Sequence, residues 1–444
     1  MPKDKIVSAI DIGSSKITTV IAASVRDEKL SVVGVSTVPS RGLRKGQVVD
    51  IEEAVASISE SVDSAERMAG LSIGSAIVSV GGAHLGSQNS KGVVAVSQPE
   101  GEITGADVNR VVDAARAISI PSSREILHVL PRDFIVDGQP GIKDPLGMTG
   151  VRLEVETQIV SGATTAIRNL AKCVGEVGID IDAVVFSGLA SSEAVLSDTE
   201  KELGVVLIDI GAGTTDVAIW IDGALAYCAV LPIGARNVTN DIAVGLRVSL
   251  ESAEKIKLLL SQTLKPKFGL AENPDNRSGK PLDEMDLSSL DLPEEIKKVS
   301  KKTLVDGIVK PRLLEIFTFV GLEIQKAGLT GMTPSGVVVT GGGALTQGLL
   351  EACRQRLGMP CRIGAPFTTP PVRLSGLIDE LSGPQYATSV GLVLYGAKEG
   401  EFGGSKKSGA LPLPKVPSFG KMAQNLPISG IFGRIIKLLK SFLP

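Results

Sequence analysis

Two short stretches of this chain combine residue types suited to holding a charged ligand. Residues 6–20 read IVSAIDIGSSKITTV and residues 204–219 read GVVLIDIGAGTTDVAI. Each is a β-prone apolar run, then Asp-Ile-Gly, a turn of Ser, Thr or Gly, and a second β run. Glycine allows a backbone to take positive φ or approach a ligand closely. Successive backbone N–H groups in such a turn can cradle an anion, and Ser or Thr hydroxyls add donors. An aspartate beside a phosphate is repulsive unless a divalent cation sits between them. Mg²⁺ suits that place because it keeps several waters and uses one or two carboxylates together with phosphate oxygens. Asp11 and Asp209 are therefore expected on the metal side of a nucleoside triphosphate. Gly13, Ser14, Ser15 and the adjoining Lys16 are expected on its phosphates from one side. Gly211, Gly213, Thr214 and Thr215 are expected there from the other. Each copy taken singly also reads as an ordinary hairpin turn; the repetition favours a shared ligand.

Two further stretches extend the pattern. VVVTGGGALTQGLLEACRQRLG, residues 337–358, predicts a strand, a triple-glycine turn and then a helix. Gly341, Gly342, Gly343 and Ala344 would let backbone approach a ligand at a helix N-terminus. Neither the dinucleotide fingerprint nor the P-loop consensus is present. Glu254 and Lys257 lie three apart on a helix predicted over 249–261, on one face. They suit either ribose and adenine edges or a solvated surface pair.

The elements that must position these residues follow from periodicity. Helical spacing predicts helices over 51–69, 164–177, 237–261 and 312–326, with another near 105–118. Asp222-Gly223 predicts a two-residue hairpin turn, and Asp27-Glu28 a similar reversal in the first copy. Residues 262–300 carry breakers and read as a surface excursion. The fold class expected is α/β. Two lobes of similar construction are interrupted by a small α+β insertion. Domain by domain, residues 1–83 and 164–204 form the first lobe, 84–163 the insertion and 205–383 the second lobe. Residues 384–399 return to the first lobe, 400–427 form a flexible linker and 428–444 an amphipathic helix.

Composition sets outer bounds. The 444 residues are 43% hydrophobic and 21% charged, as in globular chains, and only 3% aromatic, so the core must be aliphatic. Net charge is −3, yet residues 401–444 hold seven Lys/Arg and one Glu; −3 less that +6 leaves −9 on residues 1–400. A basic tail on an acidic body implies a separate anionic partner for the tail. The four cysteines and two histidines have no zinc-site spacing, which predicts free thiols, and both histidines read as structural. The amino terminus has no signal-peptide pattern and no apolar run reaches spanning length, so a cytoplasmic chain is expected.

The tail carries its own signal. Ile428, Ile431, Phe432, Ile435, Ile436, Leu439, Phe442 and Leu443 fall on one helical face, and Arg434, Lys437 and Lys440 lie opposite. Sixteen helical residues reach roughly 24 Å, short of the roughly 30 Å hydrocarbon core, so this helix would lie in the interface of an anionic membrane.

The order of two Asp-x-Gly turns and a strand-GGG-helix resembles the actin, Hsp70 and sugar-kinase superfamily. LPRDFIVDGQPGIKDPLGMTGVRLEVE (130–156) and YATSVGLVLYG (386–396), together with the basic tail, narrow the resemblance to the bacterial cell-division actin homologue family FtsA. The resemblance covers residues 1 to about 398. It implies an actin-like (ribonuclease-H-like) ATPase fold, ATP and Mg²⁺ as cofactors, and at most slow hydrolysis. It implies nucleoside contacts from Gly341 to Ala344, Glu254 and Lys257, and a water-orienting role for Glu193. It also implies self-association into filaments on the cytoplasmic face of the inner membrane at the division septum. The partners it implies are the C-terminal tail of the tubulin-like ring protein FtsZ, later divisome proteins and anionic lipids, with no nucleic acid. The chain departs from the chaperone pattern: no Arg closely follows GGGAL, and Pro384-Gln385 lacks an acid. A soluble small-molecule kinase of the same superfamily is the alternative, and it leaves the basic tail without a purpose.

Overall fold

The computed structural model describes residues 5–24, 30–97, 101–262, 283–294, 296–368 and 374–401. The expected Asp27-Glu28 turn, most of the linker and the amphipathic helix lie outside the described residues.

The first lobe opens with β1 (Lys5–Ile12), β2 (Lys16–Ser24) and β3 (Leu30–Pro39). A two-residue hairpin, β4 (Leu43–Arg44) and β5 (Gln47–Val48), leads into α1 (Ile51–Ala69), and β6 (Ser75–Val80) follows. Helix α1 spans the predicted residues because its ends are marked in the sequence. Asp50 caps the Glu53 N–H at its start, and Gly70 takes the left-handed conformation at its end. After the insertion, the lobe resumes with α3 (Thr164–Glu176), β11 (Asp180–Phe186), α4 (Ser187–Val195) and α5 (Asp198–Leu203).

The second lobe contains β12 (Val205–Ile210), β13 (Thr215–Ile221), β14 (Ala224–Leu231), α6 (Ala235–Leu246) and α7 (Leu250–Gln262). A short pair, β15 (Glu284–Asp286) and β16 (Lys298–Ser300), and a π-helical turn (Thr303–Val309) lead into α8 (Lys310–Lys326). Next come β17 (Val337–Thr340), α9 (Leu349–Leu357) and β18 (Cys361–Ile363). The described chain closes with β19 (Leu374–Gly376) and α10 (Ala387–Glu401).

The internal echo in sequence is an echo in topology. One sheet has the order β11-β6-β1-β2-β3, with β19 on its edge; the other includes β18-β17-β12-β13-β14. In both, the first three strands run parallel and the next two antiparallel. The buried central strands VVLIDI and VVVT are apolar because helices cover both faces of the sheet. One hydrophobic core lies under the first lobe and a second behind β12 and β17.

The insertion comprises β7 (Gly86–Ala95), α2 (Gly105–Arg116), β8 (Arg124–Val136), β9 (Gln139–Ile142) and β10 (Arg152–Ala163), around its own small core. Its chain leaves the first lobe after β6 and rejoins it at α3. Its sheet, however, adjoins the second lobe: Gly86 bridges to Ala229, and the Ser87 hydroxyl donates to the Cys228 carbonyl at 2.7 Å.

Three expectations need correcting. The helix predicted over 237–261 is two helices, because Arg247 turns left-handed (φ 57°) and Ser249 caps the next helix through the Ser252 N–H. The return to the first lobe comes before residue 384, since β19 already pairs with β3. Helix α10 continues to Glu401, into the stretch read as linker. Asp222 (φ 54°) and Gly223 (φ 78°) do form the expected tight turn. All four cysteines are free and buried.

His128, from the insertion, is buried against the first lobe. Its Nε2 accepts from the Phe186 N–H at 3.0 Å, and its ring meets Tyr395 edge-on. Burial lowers its pKa to about 4 from 6.5, so the folded protein keeps it neutral where the unfolded chain would protonate. Stability is therefore expected to fall as pH drops from about 6.5 towards 4, by on the order of 3 kcal/mol. Thermal melts at pH 7.5 and pH 5 check this: His128→Asn should flatten the dependence, and an equally steep dependence in the variant would contradict it.

Candidate functional site

The two turns are built alike. The Gly13 N–H donates to the Lys16 carbonyl at 3.1 Å, and the Gly211 N–H to the Thr214 carbonyl at 2.9 Å. Each turn thereby sets an aspartate on the last residues of a central strand. The turns meet across the cleft between the lobes. A side chain on Gly213 would come within 3.2 Å of the Ser14 hydroxyl and 3.1 Å of the Lys45 backbone. That hydroxyl already accepts from the Gly46 N–H at 2.8 Å. The structure thus brings together Asp11, Gly13, Ser14, Lys16, Asp209, Gly211 and Gly213, with Ser15 exposed beside them. Thr214 stays partly accessible. Thr215 does not join the set: it is fully buried and its hydroxyl is spent on the Ile233 carbonyl at 2.8 Å.

Each acid is held by two hydroxyls. Asp11 accepts from Ser79 at 2.9 Å and from Ser389 at 3.3 Å. Asp209 accepts through Oδ2 from Ser191 at 2.5 Å and from Thr388 at 3.1 Å. Despite these bonds both carboxyls lie above the usual aspartate range, chiefly through burial, and Asp11 raises Asp209 further.

A third acid joins them. Asp216 lies opposite Asp209 in the β12–β13 register and is buried, and its Oδ1 has no partner. Burial, then Asp209 and Asp11, push its pKa well up. It was already present in the Gly-Thr-Thr-Asp run of the second turn. The signal that could have found it is the register: a tight turn places residues seven apart directly across two strands. The first copy conceals the rule, because Thr18 stands opposite Asp11.

A cation faces Asp11 and Asp209. The Lys16 ammonium is buried without a hydrogen-bond partner and sits 3.5 Å over the centre of the Tyr386 ring. Burial lowers its pKa to about 8, against the pull of Asp11 and Asp209.

The triple glycine departs from the predicted strand-glycine-helix. Gly342–Leu345 form a short 3₁₀ turn, and α9 begins only at Leu349. Gly341 (φ 83°) is required by close packing: a Cβ there would sit 2.2 Å from Asp209 Oδ1 and 2.6 Å from the Ile210 carbonyl. Gly343 packs on Ile210 in the same way, and Ala344 is buried; Gly342 alone has open space, its nearest neighbour being Gln385 at 3.8 Å.

Glu254 and Lys257 form a closed triad with Thr239, a residue not foreseen. Thr239 donates to Glu254 at 2.5 Å, and Lys257 reaches Glu254 at 2.7 Å and Thr239 at 2.9 Å. The triad ties α6 to α7. Glu193 is elsewhere engaged: Lys201 takes one carboxylate oxygen at 2.9 Å and Lys398 takes the other. Burial raises its pKa, but the two lysines outweigh that and bring it to about 2. Both oxygens being committed, Glu193 is unsuited to orienting water; it joins α4, α5 and α10 instead. Trp220, beside this network, donates to Ser192 at 2.9 Å and lies under Lys201.

Among the described residues, no helix is long and apolar enough to cross a membrane. Two family models match the chain: the SHS2 domain inserted in FtsA, over residues 82–161, and the cell division protein FtsA, over residues 206–391. The cell division protein FtsA of Pseudomonas aeruginosa is 40% identical over 396 residues, which is 89% of this chain and 90% of that protein. That of Bacillus subtilis is 37% identical over 412 residues, 93% of this chain and 88% of that protein. The solved PilM–PilN type IV pilus biogenesis complex superposes with a TM-score of 0.61 at 16% identity, over 88% of this chain and 98% of that one. This last likeness concerns the fold, which is the two-lobed actin-like ATPase fold carrying an inserted SHS2 domain.

Proposed function

The chain belongs to the FtsA family of cell division proteins, and from that premise we propose that it binds Mg²⁺-ATP between its lobes and works as a membrane-bound actin-like filament. In this reading the filament tethers the FtsZ ring through the FtsZ C-terminal tail and recruits later divisome proteins. The observation that carries the nucleotide part is the pairing of Asp11 and Asp209, one from each lobe, in a cleft with Lys16.

The residues present fit the absent groups. Burial raises all three carboxyls, Asp11 raises Asp209, and both raise Asp216, a clustering of acids that a divalent cation would relieve. The Lys16 ammonium is buried without a hydrogen-bond partner, which suits a lysine that binds phosphate. Asp11 and Asp209 would hold the metal directly or through water. Ser14, Ser15, Lys16, Gly211, Gly213 and Thr214 would contact phosphates. When bound, magnesium would neutralise phosphate charge and orient the terminal phosphate. Asp216, with an oxygen free, takes the water-holding role first expected of Glu193. Its raised pKa keeps it protonated more than an ordinary aspartate, which suits slow rather than fast hydrolysis. Gly342 and the Thr239–Glu254–Lys257 triad remain the proposed nucleoside side.

The membrane part rests on the sequence of residues 428–444, whose single apolar face lies opposite Arg434, Lys437 and Lys440. Each basic residue adds about 1 kcal/mol near an anionic leaflet. One helix is a modest anchor, and a head-to-tail filament multiplies it by avidity. Full-length protein is expected to sediment with phosphatidylglycerol-containing vesicles, and residues 1–427 to do so at least tenfold less. Equal sedimentation would remove the membrane role. Rapid phosphorylation of a small metabolite would instead favour the soluble-kinase alternative.

A further inference from the structure

Three neighbouring side chains, Tyr386 just before α10 and Thr388 and Ser389 in its first turn, face three charged groups that come from both lobes. Tyr386 lies under the Lys16 ammonium, Thr388 donates to Asp209 at 3.1 Å and Ser389 donates to Asp11 at 3.3 Å. Consecutive residues of one helix thus hold carboxylates contributed by two different sheets. Neither hydroxyl is needed to fill α10's own packing face by polarity: Ser389 is fully buried and Thr388 nearly so, sites where an apolar group of the same size would pack as well. Thr388 also meets Ser191 at 3.0 Å, and Ser191 is the other donor to Asp209. At its far end α10 is bound to α4 through Lys398 and Glu193. Midway, a Cβ on Gly391 would fall 1.8 Å from the Ala190 carbonyl, so the two helices cross in backbone contact.

We infer that the first turn of α10 is a positioning element for the metal-nucleotide site, with Thr388 and Ser389 fixing the aim of Asp209 and Asp11 relative to each other. The two acids sit on separate lobes, so nothing within either sheet sets their mutual orientation. Hydroxyls on one rigid helix do. Ser389 and Thr388 both bind Oδ2; the other oxygen of Asp11 is taken by Ser79, whereas Asp209 Oδ1 has no hydroxyl donor. The inference rests on the Mg²⁺-ATP reading given above.

The test measures ATP affinity of the full chain by calorimetry, with Mg²⁺ and with EDTA. Variants are Ser389→Ala, Thr388→Val and Thr388→Ser. A positioning role acts through the metal, so Ser389→Ala and Thr388→Val should each weaken affinity about tenfold in Mg²⁺ and stay within twofold of native in EDTA. Thr388→Ser keeps the hydroxyl and should restore native affinity. Equal weakening in both conditions, or failure of Thr388→Ser to rescue, would mark a packing role and overturn the inference. Native affinity in Ser389→Ala and Thr388→Val would also overturn it while leaving the nucleotide reading intact. No ATP uptake by the native chain would remove both.

Discussion

Asp209→Asn is expected to abolish magnesium-strengthened ATP binding, by at least about a hundredfold in affinity, and at the same time to raise the melting temperature of the ligand-free protein. Asparagine is isosteric and keeps an oxygen to accept from Ser191 and Thr388, so the local hydrogen bonds survive. What disappears is a buried charge beside Asp11 and Asp216. The folded protein holds Asp209 above the ordinary aspartate value of 3.8, so the folded state binds its proton more tightly than the unfolded state. Stability therefore falls as pH rises through the interval between the two values and stays lower at neutral pH. Removing the charge should recover on the order of 2 kcal/mol at pH 7.5. Opposite signs for stability and binding distinguish a binding-site acid from a structural one. A destabilised Asp209→Asn protein with native affinity would contradict the assignment.

Gly391→Ala should be the most damaging single methyl in the described chain. The added carbon would overlap the Ala190 carbonyl, so α4 and α10 must separate. The hydroxyls of Ser191 and Thr388, which meet at 3.0 Å across this crossing, would part, and Asp209 would lose a donor. Overpacking of this kind costs about 3 kcal/mol or more when backbone must move. Because a chain with several modules need not unfold in one step, the first thermal transition is the quantity to follow. It should drop by several degrees, and affinity for Mg²⁺-ATP should fall with it. Unchanged melting would show that the two helices do not cross at this point.

Much of the fold was legible because its signals are local. The helix over 51–69 declares both ends, through Asp50 and Gly70. The Asp-Ile-Gly turns declare themselves by repetition, and their shared topology follows. Less local features were missed. Arg247 ends α6 in a left-handed conformation with no glycine or proline to announce it, so apolar periodicity ran on through the break. Glu193 gave no warning of its second partner, because Lys398 lies 205 residues away. The triple glycine looked like a ligand cradle, yet two of its three glycines serve packing against Asp209 and Ile210. Asp216 was visible in the run of residues but not in its role, which depends on strand register and on what lies above it. Burial and pairing across the lobes decide these cases, and neither is written in residue spacing.

Carboxylates from two lobes are proposed to share one magnesium-bound triphosphate. Isothermal titration of the full chain with ATP, in Mg²⁺ and in EDTA, tests it most directly. One ATP per chain is expected, bound at least about a hundredfold more tightly with Mg²⁺, with that gain lost in both Asp11→Asn and Asp209→Asn. Absence of uptake, uptake indifferent to Mg²⁺, or an undiminished gain in both variants would contradict it.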